Sequence, residues 1–79
     1  MPFVYIIYSE KLKKYYVGAC KDLDRRLNEH NKGCSTFTAT GIPWILKHSE
    51  IFPTLLEAKK RELQIKKMKS RSYIEKLIC

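Results

Sequence analysis

Seventy-nine residues, 44 % hydrophobic and 11 % aromatic, make room for one globular domain (1–79) and exclude both a multidomain enzyme and a disordered chain. Sixteen Lys+Arg against 8 Asp+Glu leave a formal net charge of +8, a surplus that draws polyanions to so small a surface. Nucleic acid is the first expectation and an anionic membrane surface the second, although no run approaches the roughly 20 apolar residues of a membrane span.

Phe3 to Tyr8 is aromatic and β-branched, which predicts a strand. It is apolar on both faces, so it should lie centrally with something packed on each side. It is too short for a signal-peptide core, and the expected location is cytoplasmic. Ser9 to Lys14 is turn-like, and Tyr15-Tyr16-Val17 is a second strand stopped at Gly18. A hairpin in which Tyr5 pairs with Tyr16 has a loop from Ser9 to Leu12 and puts both phenols on one face.

Asp22 can cap a helix from about Leu23 to Asn31, ended by Gly33. Cys34 to Gly41 reads as a loop. Pro43 precedes a third strand, Trp44 to Ser49. Thr54-x-x-Glu57 is a capping box for a helix running to about Met68. Ser72-x-x-Glu75 offers another for a short last helix ending near Ile78. The expected class is α+β: a three-stranded antiparallel sheet flanked by helices, in the order β-β-α-β-α-α. The cysteines, Cys20, Cys34 and Cys79, are odd in number and widely spaced, so free thiols are expected and a zinc site is not.

Chemistry is suggested by residues that these elements can bring together. Taken singly, Tyr5, Tyr8, Tyr15 and Tyr16 are ordinary packing residues; two phenols sharing a face beside a cationic helix are more than a core needs. Arg26 and His30 lie four apart and share a helix face, as do Arg25 and Glu29. Leu23 and Leu27 mark the inward side, which Arg26 and His30 flank more closely than Glu29. Histidine titrates near neutrality and can move protons.

Glu62 sits about 100° from Leu63 and about 60° from Ile65 around a helix. A carboxylate between apolar edges is unusual, though Lys66 four residues later offers it an ordinary ion pair. A lone inward carboxylate can hold one Mg²⁺ or Mn²⁺, with water and phosphate oxygens completing the shell. Lys59, Lys60, Arg61, Lys66, Lys67, Lys69 and Arg71 wrap the later helix and its end. They read as phosphate contacts without sequence readout, or as a solvated face.

Together these residues resemble the GIY-YIG nuclease superfamily. Val4-Tyr5-Ile6 stands at the GIY motif, with Val4 in place of its glycine. Tyr16-Val17-Gly18 stands at YIG, followed by Ala19 where some members carry lysine. Asp22 to Asn31 resembles the arginine helix, and Ala58 to Lys66 the segment with the metal glutamate. The likeness is closest to small stand-alone members of UPF0213 type, related to the N-terminal nuclease domain of the excision-repair excinuclease.

The resemblance implies a metal-dependent, structure-selective DNA endonuclease related to repair or recombination, with RNA as an alternative substrate. It implies Tyr16 as general base or proton relay, Tyr5 in support, and Arg26 on the transition-state charge. It further implies His30 near the base, Asn31 lining the site, and Glu62 as the single protein ligand of one Mg²⁺ or Mn²⁺. Lys21, Arg25, Lys59, Lys66, Lys67, Lys69 and Arg71 are the expected nucleic-acid contacts; a repair-protein partner is a further expectation, and a membrane is not. The rival reading is a catalytically weak nucleic-acid-binding or adaptor module on the same fold.

Overall fold

A computed structural model describes residues 1–33, 39–68 and 71–78. Its elements are β1 (Phe3–Ser9), β2 (Lys14–Cys20), α1 (Leu23–Asn31), β3 (Trp44–Ile51), α2 (Leu55–Met68) and α3 (Arg71–Ile78). The sheet is antiparallel with β1 in the middle, β2 on one side and β3 on the other. The centre falls to β1 because Val4, Tyr5, Ile6 and Ile7 are all buried, so both faces of that strand need cover.

The hairpin register differs from the expected one. Tyr5 faces Gly18, Ile7 faces Tyr16 and Ser9 faces Lys14. The loop is therefore residues 10–13, not Ser9 to Leu12. Lys13 turns the chain with a left-handed φ of 56°. Ser9 stays in the strand and its Oγ accepts a hydrogen bond from the Leu12 amide at 3.1 Å. The slip is two residues, an even number, so the pleat keeps Tyr5 and Tyr16 on one face.

Local signals mark most helix ends. Asp22 accepts the Arg25 amide at 3.1 Å and opens α1, and Gly33, at φ +79°, lies just beyond its end. Thr54 Oγ1 accepts the Glu57 amide at 3.3 Å and opens α2. The last helix departs from expectation. It begins at Arg71, so Ser72 lies inside the first turn and is not its cap. The Arg71 guanidinium donates to the Lys13 carbonyl at 2.8 Å, which ties this start to the hairpin loop. β3 runs on to Ile51 because Phe3 and Val4 pair with Ile51 and Glu50, and a bulge opens beside Lys47. Most of the expected loop from Cys34 to Gly41, residues 34–38, lies outside the described residues. Of the three cysteines, Cys20 is a free thiol; Cys34 and Cys79 lie outside them too.

Each face of the sheet buries its own cluster. Val4, Ile6 and Val17 pack with Ala58 and Ile65 of α2, and with Tyr73, Ile74 and Leu77 of α3. Tyr5, Ile7 and Trp44 pack with Tyr16, Leu23, Leu27 and Ile42 on the α1 side. Arg61 is not a spare phosphate contact. Its guanidinium reaches both oxygens of Glu50, at 2.9 and 3.2 Å, and the Tyr73 hydroxyl at 3.3 Å. His48 joins the same carboxylate at 2.8 Å, and these bonds tie β3, α2 and α3 together. Arg61, more than His48, holds the Glu50 carboxyl below the usual carboxylate range. Among the described residues no helix is long and apolar enough to cross a membrane.

Candidate active site

The first site residue is placed by a glycine. Tyr5 and Gly18 face each other across the β1–β2 ladder, and the Tyr5 ring lies over the bare Cα of Gly18. A Cβ there would meet the Tyr5 hydroxyl at 2.4 Å. The glycine of the second motif is thus the hole that lets the tyrosine of the first lie down across the sheet.

So placed, the Tyr5 hydroxyl meets His30 Nε2 at 2.9 Å, and the direction of that bond follows the imidazole tautomer. Both groups are buried, Tyr5 at 2 % and His30 at 1 % exposure. Burial pushes the Tyr5 hydroxyl up to about 12; the Arg26 guanidinium beside it pulls the other way. Burial, aided by the Arg26 charge, also holds the His30 imidazole below its ordinary value. Near neutral pH the pair is therefore a phenol and a neutral imidazole. It can pass or accept a proton, but Tyr5 itself is no base.

Tyr16 completes an aromatic corner. Its ring centroid lies 5.2 Å from His30, 6.5 Å from Tyr5 and 6.3 Å from Trp44. Unlike Tyr5 it is only half-buried, so it stands between the buried relay and solvent. Arg26 reaches the same corner from α1, with Glu29 Oε1 as a partner at 3.5 Å. The spacing of Leu23 and Leu27 seats α1 on the Tyr5–Trp44 cluster and so aims Arg26 and His30 inward, while the Arg25 side chain stays 78 % exposed.

α2 packs on the opposite face but lies chiefly against β2. That position brings its flank to the sheet edge beside Tyr16. The Glu62 carboxylate, 20 % exposed, accepts from Lys66 Nζ at 2.6 Å, and the same ammonium sits 5.9 Å from the Tyr16 ring centroid. The phenols, the guanidinium and the imidazole thus share one corner, and Glu62 is linked to it through Lys66, whose ammonium holds the carboxylate and lies beside the Tyr16 ring. No cluster of three or more His, Cys, Asp or Glu occurs among the described residues. A lone carboxylate that already grips one cation fits a hard ion better than any multi-ligand metal.

The other expected contacts are scattered. Lys21, Lys59 and Lys67 are exposed. Arg71 lies on the other face, with its guanidinium carbon 5.3 Å from the Tyr15 ring and 6.0 Å from the Tyr8 ring, bound to the hairpin loop. Lys69 lies outside the described residues. Asn31 spends its amide on structure: Oδ1 accepts the Trp44 amide at 2.7 Å and Nδ2 donates to the Trp44 carbonyl at 3.2 Å. Two participants are not marked as such by the sequence, and a third, Lys66, stands elsewhere than expected. Trp44 walls the corner, Cys20 packs beside Tyr5, and Lys66, though exposed, lies beside the Tyr16 ring. The spacing of Lys66 from Glu62 is visible along the chain, but its place above Tyr16 is not.

Residues 1–76 match the GIY-YIG catalytic domain. That defines the class: a nuclease domain of endonuclease type, acting on nucleic acid in a family that generally uses a divalent metal. The chain belongs to the GIY-YIG family. A UPF0213 protein of Halobacterium salinarum is 41 % identical over 64 residues, covering 80 % of this chain and 82 % of that protein. One from Syntrophus aciditrophicus is 39 % identical over 77 residues, covering 95 % and 84 %. The solution NMR structure of a UPF0213 protein from Bacillus halodurans superposes with a TM-score of 0.61 at 31 % identity, covering 99 % of this chain and 83 % of that one.

Proposed function

We propose that this chain hydrolyses phosphodiester bonds in DNA, selecting its target by strand structure and not by base sequence. The observation that carries the reading is the corner itself: Tyr16 packs beside a buried Tyr5–His30 hydrogen bond that the Arg26 guanidinium adjoins, and Lys66, the partner of the Glu62 carboxylate, sits by its ring. A packing core has no use for a guanidinium and a buried phenol–imidazole pair at one edge.

In this scheme the Tyr16 oxygen takes the proton of the attacking water. His30, held neutral, and Tyr5, held protonated, form the relay and orient the water. Arg26 stabilises the charge that builds on phosphorus, a contribution of about 3–4 kcal/mol for a positioned donor. Glu62 would hold a single Mg²⁺ or Mn²⁺, which supplies Lewis-acid stabilisation of the leaving oxygen when bound. Lys21, Arg25, Lys59 and Lys67 lie exposed on the strand-to-helix link, α1 and α2, where they can follow a phosphate backbone.

The test is nicking of supercoiled and branched DNA with Mg²⁺ or Mn²⁺. Arg26→Ala, Tyr16→Phe and Glu62→Gln should each lower the rate roughly 10²–10³-fold. DNA affinity should fall steeply with salt. Equal cutting by Glu62→Gln and the unaltered chain under every metal tried would remove the metal assignment. Salt-dependent binding with no cutting at all would leave the binding module as the correct reading.

A further inference from the structure

The geometry points to Lys66 as a built-in competitor at the metal carboxylate, a positioning residue that holds Glu62 toward Tyr16 and yields it when a divalent cation binds. This rests on the nuclease reading above and adds a residue to it. The ammonium lies 2.6 Å from Glu62 Oε2 and 5.9 Å from the Tyr16 ring centroid, so one cation bridges the carboxylate and the aromatic. Glu62 would hold the ion through the same carboxylate that Lys66 now engages.

Three features make Lys66 more than a surface pair. Glu62 is the less exposed partner, 20 % against 48 % for Lys66, so less solvent competes with the ammonium for the carboxylate. The two are one turn apart on α2, glutamate first, the favourable order for a helical pair. The lysine stem is also long enough to swing aside while its charge stays over Tyr16, in keeping with the many rotamers of that side chain.

Two consequences follow for a divalent ion. It must displace the ammonium from the carboxylate, and it must then tolerate that positive charge close by. Both oppose binding, and both vanish if the charge is removed. DNA phosphate would take up the displaced ammonium, so metal and substrate would favour one another at this site.

The experiment titrates Mn²⁺ alone into the whole chain and follows paramagnetic broadening of the amide signals around residue 62. Lys66→Met keeps the apolar stem and should lower the half-broadening concentration roughly tenfold, since both repulsion and competition are lost. Lys66→Arg keeps the cation and should stay within about twofold of the unaltered chain. Glu62→Gln should abolish the local broadening in either background. Equal titrations for Lys66→Met and the unaltered chain, with broadening still dependent on Glu62, would overturn the role of Lys66 and leave the nuclease reading standing. Broadening around residue 62 that ignores Glu62→Gln would overturn both.

Discussion

One strand serves two different faces. Toward α2 and α3, β1 offers Val4 and Ile6, which meet Val17, Ala58 and Ile65 in an aliphatic cluster under two helices. Toward α1 it offers Tyr5 and Ile7, which meet Tyr16, Trp44 and His30 under a helix of 9 residues. The first face is closed chiefly by packing, with polar ties at its margins, where Glu50, Arg61, His48 and Tyr73 meet and where Arg71 reaches the hairpin loop. The second carries its polar groups inside, each with a partner. Because side chains alternate along a strand, residues next to each other in sequence belong to opposite regimes. Stability and chemistry should therefore come apart between neighbours.

The sharpest separation should come from the aliphatic face. Ile65 is 1 % exposed at the centre of that cluster. Ile65→Ala should cost about 2–5 kcal/mol from lost transfer energy and the cavity left behind. Arg26→Ala, on the thinner face, should change the urea midpoint little while removing cutting. If the two variants unfold at the same urea concentration, the contrast between the faces fails.

Gly18→Ala tests the seam between them. The new Cβ would sit 2.6 Å from Cζ of Tyr5, on a strand that cannot move freely. Overpacking of this kind should cost about 1–3 kcal/mol, and the Tyr5 hydroxyl should lose its bond to His30. Tyr5→Ala should recover part of that cost in the double variant. Strict additivity in a double-mutant cycle would mean that Tyr5 does not occupy the space above Gly18.

The smallest expected effect is a pH dependence. His30 is held below its ordinary value by burial first and by the Arg26 charge second. The unfolded chain therefore takes up its proton earlier as pH falls. Stability is fully present above about pH 6.5 and declines below it, as the unfolded state comes to bind more protons. Glu50, also lowered but from a carboxyl value of 4.5, adds its loss only in more acid solution. Urea midpoints between pH 7.5 and 5.5 should thus decline in the unaltered chain and flatten in His30→Gln. The same slope in both would assign the dependence elsewhere.

Much of this was legible along the chain. A strand apolar on both faces had to be central, and β1 is. Asp22 and Thr54 begin their helices because a cap is decided within one turn by the side chain that meets the free amides. The shared face of Tyr5 and Tyr16 was legible too, since even spacing survives an error of two in register. The register was not, because it turned on Lys13 adopting a left-handed conformation and on a ring needing the empty side of Gly18. Nor could periodicity show that Arg61 and Arg71 are engaged within the fold, while Lys66 bends back over Tyr16. A count of basic residues treats all of them alike.

Alternation, caps and charge are short-range properties, settled by backbone geometry and by hydrogen bonds a few residues long, so the amino-acid order alone decided the elements, their sequence and the attraction to polyanions. The corner where Tyr5, Tyr16, His30 and Arg26 come together, with Lys66 of α2 beside it, belongs to the tertiary structure. It exists because α1 covers one face while α2 lies along the β2 edge, and that arrangement is chosen by burying both faces of β1 at once.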